Sequence, residues 1–261
     1  MEKSGSYKVL KTCIVMAVMV TSVYAIDIKS DTEAVNIAGK QRMFTQRMLK
    51  DYSMIGMNNT FGNPGEDLTK TISEFEDHME SLIAYTKSDV TKKSIEKTKE
   101  LWLPIKEVLS EPSSIDKAAK LQVDLDALLK ATDDSTKLFE SDSGKVSGEI
   151  VNISGRQRML SQRMAALYML KVWGIDDPQF KTKLEGAMKL FESSAEKLEK
   201  SEKTTDEIAA LLKQVKRSFN YFKMMNMKAS TKYIPSLIYK KSNEMLVNMN
   251  KATLQYVANE K

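Results

Sequence analysis

Residues 35–48 read VNIAGKQRMFTQRM and residues 151–164 read VNISGRQRMLSQRM. Ten of the fourteen positions are identical; three of the four differences keep the residue type (Lys40/Arg156, Phe44/Leu160, Thr45/Ser161), and the fourth exchanges Ala38 for Ser154. At a chance identity of roughly one in twenty per position, the two stretches are copies of one another. The offset of 116 residues also brings Phe75 and Glu76 onto Phe191 and Glu192, and Leu82 onto Leu198, so the repeat is longer than its motif. Prolines punctuate both copies: Pro64 and Pro178 follow the motif segment, and Pro112 and Pro235 precede the last apolar stretch. Pro104 belongs to the first copy alone, where a helix kink is expected.

Apolar spacing marks four helices per copy. In the first, Leu68, Ile72, Phe75, Met79 and Leu82 step by four and three, the stripe of a helix facing a bundle core. Leu184, Met188, Phe191, Ala195 and Leu198 repeat that stripe. A third helix carries Ile95, Trp102, Ile105 and Leu109, matched loosely by Ile208, Leu212, Val215, Phe219 and Phe222. A fourth carries Ile115, Leu121, Leu125, Leu128 and Leu129, echoed by Ile238, Met245, Met249 and Tyr256. With 10 glycines, 5 prolines and 7% aromatic residues, the composition suits helices better than a sheet. The expectation is an all-α protein of two tandem four-helix up-down bundles, residues 26–143 and 144–261, behind a cleaved signal peptide. The joint from Glu140 to Gly148 has linker composition, which fits either a bend or a nearly continuous helix.

The first 25 residues read as that leader: basic Lys3, Lys8 and Lys11, an apolar run from Cys13 to Val20, then small residues before a cleavage point after Ala25. The apolar run falls short of the roughly twenty residues a spanning helix needs. Lys11 sits where a lipidation site at Cys13 would want a small apolar residue. The only cysteine leaves with the leader, so disulfides and thiolate chemistry are excluded from the mature chain. Removing three lysines and one glutamate brings the formal charge from +5 to +3, too mild and dispersed for a nucleic-acid partner. No second run of spanning length follows, and the expected location is the periplasm.

At about 100° per residue, Ile37, Gln41, Phe44, Met48 and Ile55 share one side of the first motif helix, the expected core face. Asn36, Gly39, Lys40, Met43, Gln46 and Arg47 lie opposite, and Arg42 sits between, beside Ala38, Thr45 and Leu49. A mid-helix glycine costs about 1 kcal/mol against alanine. Its presence in both copies, Gly39 and Gly155, points to close approach of a backbone or a ligand. Two readings of Arg42, Arg47, Arg158 and Arg163 follow. They are surface cations paired with nearby carboxylates, or they form a site for a small anion, since the guanidinium fork suits oxyanions and stays charged at any relevant pH.

The N-[IV]-x-G-x-Q-R-M-x-[ST]-Q-R-M stretch resembles the N-terminal sensor domain of the type IV pilus methyl-accepting chemotaxis transducers. More distantly it is similar to the periplasmic domain of nitrate/nitrite sensor histidine kinases. The resemblance implies periplasmic four-helix bundles whose first helices pair, with an arginine of the Gly-x-x-Arg-Met core holding nitrate in the kinases. Carried over, that role falls on Arg42 and Arg158, with Gly39 and Gly155 beside them and Asn36, Asn152, Arg47 and Arg163 as further ligand-binding candidates. No membrane span, kinase or methyl-accepting segment follows the second copy, so the expected role is that of an accessory beside a membrane-bound receptor or sensor kinase. Partners can also be a second copy of the chain, or the two repeats can pair with each other. In that last arrangement Arg42 and Arg158 converge; two such charges about 6 Å apart repel by roughly 3 kcal/mol at an effective dielectric of 20, and a monoanion between them reverses the sign.

Enzymatic readings fare poorly. His78 is the only histidine and stands among Glu76, Asp77 and Glu80 on what reads as a solvated face. No nucleophile, metal-ligand or cofactor pattern is present. Met224, Met225 and Met227 offer soft thioethers, but methionine filling a helical core accounts for them. Two functions remain: a non-enzymatic sensor binding nitrate or nitrite through the motif arginines, and a ligand-free helical module that pairs with a receptor's own bundle.

Overall fold

The computed structural model describes residues 26–144, 146–175, 177–227 and 234–259; the expected leader lies outside them. The described residues hold eight helices and no strand: α1 (Asp31–Gly56), α2 (Pro64–Tyr85), α3 (Asp89–Ser110), α4 (Ile115–Ser143), α5 (Val146–Trp173), α6 (Gln179–Glu199), α7 (Asp206–Met227) and α8 (Pro235–Ala258). Helices α1 to α4 pack in a ring, each on the next and α4 back on α1, and α5 to α8 do the same. The protein is therefore all-α, two tandem four-helix bundles.

Local chemistry sets the helix ends. Ser30 caps α1, its Oγ accepting from the Glu33 amide at 3.1 Å, and Asp31 and Glu33 put negative charge at the positive end of the helix dipole. Pro64 and Pro235 take the first positions of α2 and α8, where no amide hydrogen is needed. Pro104 stands inside α3. The joint between the repeats is a bend: α4 ends at Ser143 and Gly144 takes a left-handed φ of 60° before α5 begins.

The bundles do not stand end to end. Helices α1 and α5 lie side by side, in the most extensive helix–helix contact among the described residues. They run parallel, since Asn36 meets Arg158, Gln46 meets Arg163 and Gly56 lies against Trp173. Helix α1 is thus enclosed by α2, α4, α5 and the edge of α8. This corrects the one-sided reading of the motif helix, because Asn36, Gly39, Met43 and Gln46, placed opposite the core, are buried as well. A single apolar core runs through both repeats. Three other readings change. His78 is buried, its ring 5.1 Å from that of Phe44, instead of solvated. Ile115 and Met224, expected in the core, are exposed.

The structure also refines the repeat. The Phe75–Trp102 ring pair is matched by Phe191–Phe219, and the Glu76–Lys106 ion pair by Glu192–Lys223. The offset is therefore 117 in the third helix of each copy, one more than in the motif.

Candidate functional site

The two motif glycines open onto the same spot between α1 and α5. A Cβ placed on Gly39 would lie 3.3 Å from Arg42 Nη2 and 3.4 Å from Arg158 Nη2. One placed on Gly155 would lie 3.0 Å from Arg158 Nη2 and 3.3 Å from Arg42 Nη2. Both guanidinium ends are within 3.4 Å of one point, which bounds their separation at twice that distance. Arg42 and Arg158 are 0% exposed, so neither is a surface cation.

A pseudo-twofold axis relates their inner contacts. Arg42 Nη2 donates to the Asn152 carbonyl at 3.3 Å, and Arg158 Nη2 donates to the Asn36 carbonyl at 3.2 Å, each reaching the other copy's motif helix. The outer contacts break the symmetry. Arg42 Nη1 donates to Asp133 Oδ1 at 2.7 Å, whereas Arg158 Nη1 donates to Asn36 Oδ1 at 2.9 Å and Asn250 Oδ1 at 3.2 Å. Asn250 stands where the first copy has Asp133. Asp133 is shared, its other oxygen pairing with Lys137 at 2.6 Å, whereas Arg158 has no carboxylate partner, and the Nε atoms of both arginines have no hydrogen-bond partner.

The electrostatics follow from burial. Desolvation, with Arg42 alongside, pushes Arg158 down to about 9, so it remains charged at neutral pH. Burial lowers Arg42 too, and Asp133 opposes it. For Asp133, burial works upward but Arg42 and Lys137 outweigh it, holding the carboxyl below its usual range. Burial, then Lys40 and Arg158, push His78 down to about 3, which keeps it neutral. A surface cleft lined by Asp126, Asp133, Arg156, Met159 and Arg163 reaches the outer edge of this group.

Of the eight residues proposed from sequence, the structure gathers Asn36, Gly39, Arg42, Asn152, Gly155 and Arg158. Arg47 and Arg163 are engaged elsewhere: Arg47 Nε donates to Asp67 on α2 at 2.9 Å, and Arg163 pairs with Asp126 on α4 and donates to Gln46 Oε1 at 3.1 Å. Among the described residues no three histidine, cysteine, aspartate or glutamate side chains come together as metal ligands.

Sequence reasoning missed Asp133 and Asn250, which the fixed offset of 116 did not align. It also missed a buried ionic cluster further along the same seam. Lys50 Nζ donates to Gln162 Oε1 at 2.8 Å and Asn243 Oδ1 at 2.7 Å, and sits 4.0 Å from the Tyr239 ring centroid and 3.6 Å from Asp51 Oδ1. Both Asp51 oxygens are buried without a hydrogen-bond partner. Burial raises Asp51 to about 7 and lowers Lys50, each against the pull of the other. The second copy has Ala166 and Leu167 here, and that exchange of apolar residues for charges was the available signal.

Comparison with known proteins bears on both copies. Residues 27–131 and 141–224, well over half of the chain, match the family described as the type IV pili methyl-accepting chemotaxis transducer N-terminal domain, PilJ. No curated protein and no solved structure gave a significant match. Domains of this type are non-catalytic, sensory and typically extracytoplasmic. Among the described residues no helix is long and apolar enough to cross a membrane. Both matched segments contain the quoted motif, each copy contributes one glycine and one arginine to the paired seam, and the chain belongs to the PilJ family, carrying its domain in two tandem segments.

Proposed function

We propose that this protein is a periplasmic accessory sensor that captures a small oxyanion, nitrate or nitrite, between Arg42 and Arg158 and presents its bound or empty state to a membrane receptor or sensor kinase. The observation that carries the reading is Arg158, a fully buried cation with amide and carbonyl partners but no carboxylate, beside a second arginine. An uncompensated buried charge costs several kcal/mol, and a monoanion removes that cost. Arg42 Nη2 and Arg158 Nη2 both lie against the two glycines, so the guanidinium ends converge at the α1–α5 seam, where one oxyanion can be shared by both forks. Binding there draws α1 and α5 together against the repulsion of the empty pair, which supplies a ligand-dependent change at the seam of the two bundles. The leader and the extracytoplasmic habit of the domain support the periplasm.

A second reading, a ligand-free module that pairs with a receptor bundle, is favoured by one observation: both guanidinium groups already have oxygen partners within the protein. Calorimetric titration of residues 26–261 with nitrate and nitrite, against chloride and sulfate, separates the two. Saturable binding is expected, and loss of it in Arg42→Ala and Arg158→Ala. Asn250→Asp supplies the missing carboxylate from within, so it should also abolish binding while keeping or raising thermal stability. A folded protein that gives no heat with any anion would leave the interaction module standing.

A further inference from the structure

Each bundle has an internal space beneath the glutamine that precedes the motif arginine. Gln41 Nε2 donates to the Phe75 carbonyl at 2.9 Å and Gln157 Nε2 to the Phe191 carbonyl at 2.8 Å. Because a carbonyl can only accept, these bonds fix which end of each amide is the oxygen. Both Oε1 atoms are buried with no hydrogen-bond partner, and Gln157 is 0% exposed. A buried acceptor left without a donor is costly, so its repetition in both copies needs an account.

The spaces below these oxygens differ in size. In the first bundle Gln41, Met79, Ile95, Thr98 and Thr132 line about 10 Å³, one water at most. In the second, Gln157, Ala195, Leu212, Val215 and Met249 stand at the same repeat positions and line about 80 Å³, together with Phe191 and Phe219. The exchange of Met79 for Ala195 removes a long side chain from the wall. Helices α6 and α7 touch only sparsely, and the space extends between them to a mouth bearing Glu192, Glu196, Glu199 and Lys216. Its walls are apolar, its inner end offers one unpaired acceptor, and its rim carries glutamates paired with lysines, Glu199 with Lys216 and Glu192 with Lys223.

We infer that the second bundle is a binding site for a small neutral molecule with an apolar body and one hydroxyl or N–H donor, the donor seated on Gln157 Oε1 and the body between α6 and α7. A cavity of about 150 Å³ takes benzene, so 80 Å³ suits a body of a few carbon atoms, with anything larger emerging at the mouth. A carboxylate has no proton to donate to Gln157 Oε1 and would be desolvated among apolar walls, which disfavours organic acids. This site stands apart from the arginine pair and does not depend on the anion reading.

The test is a ¹H–¹⁵N NMR titration of the mature chain with 1-butanol, its isomer diethyl ether, which has no donor, and butyrate. Saturable shifts around Gln157, Phe191 and Val215 are expected with 1-butanol, about two- to tenfold weaker binding with the ether, and none with butyrate. Ala195→Met, which copies the first bundle's wall, should abolish the response without altering the helical circular dichroism. Met79→Ala should create a second set of shifts around Gln41 and Thr98. No saturable response in the unaltered protein, or one that survives Ala195→Met, would overturn the site. Equal affinity for alcohol and ether would overturn the role of Gln157.

Discussion

Asp51 shows how far one buried side chain departs from its surface habit. Its carboxyl is raised from an ordinary 3.8 to about 7 by burial first, opposed by Lys50 and Arg47 and reinforced by Asp67. The folded protein therefore holds this proton more tightly than the unfolded chain does. The stability tied to it is fully present below about pH 4 and is lost as pH rises through 7. His78, lowered from 6.5 to about 3, acts in the opposite sense: its contribution is present above about pH 6.5 and lost as pH falls toward 3. Asp51→Asn should accordingly gain on the unaltered protein as pH is raised from 4 to 8 in urea-unfolding series, and parallel curves for the two would show that Asp51 does not titrate in this range. Helical periodicity alone reads neither residue this way; for Lys50 and Asp51 only the comparison with Ala166 and Leu167 of the second copy points inward. Lys50-Asp51 looks like an ordinary solvated pair, and His78 stands among acids; what buries them is a neighbouring helix whose identity no local pattern declares.

At the level of the element, the stripes on α2 and α6 were legible because each faces a single core, and periodicity reports a single face well. Helix α1 was legible only as a helix. Buried nearly all round, it keeps a polar, arginine-bearing side that a one-faced reading sends to solvent. The glycines carried better information, since close approach was the physical reason to expect them. Gly56 extends that logic to the far end of the seam, where an added Cβ would fall 2.0 Å from Trp173 Cζ2. The ring cannot yield as a flexible chain end would, so Gly56→Ala should destabilise the protein by about 1–3 kcal/mol. Chemical denaturation measures this directly. A change within about 0.5 kcal/mol would mean that α1 and α5 do not meet so closely there.

Across the whole molecule, the repeat predicted two bundles, and the resemblance offered pairing of their first helices as one arrangement among several, because sequence identity between copies is silent on which faces meet. A core shared by both should make them unfold together. Calorimetry should find a single unfolding transition whose van't Hoff and calorimetric enthalpies agree, whereas two resolved transitions would show that the halves fold independently. The fusion has a further consequence at the axis. In a dimer of identical chains every residue beside the twofold appears twice, so two arginines would be joined by two aspartates or by two asparagines. A single chain escapes that parity. By keeping Asp133 on one side and Asn250 on the other, it gives one arginine a carboxylate and leaves its counterpart without, a division of labour that two identical chains cannot hold.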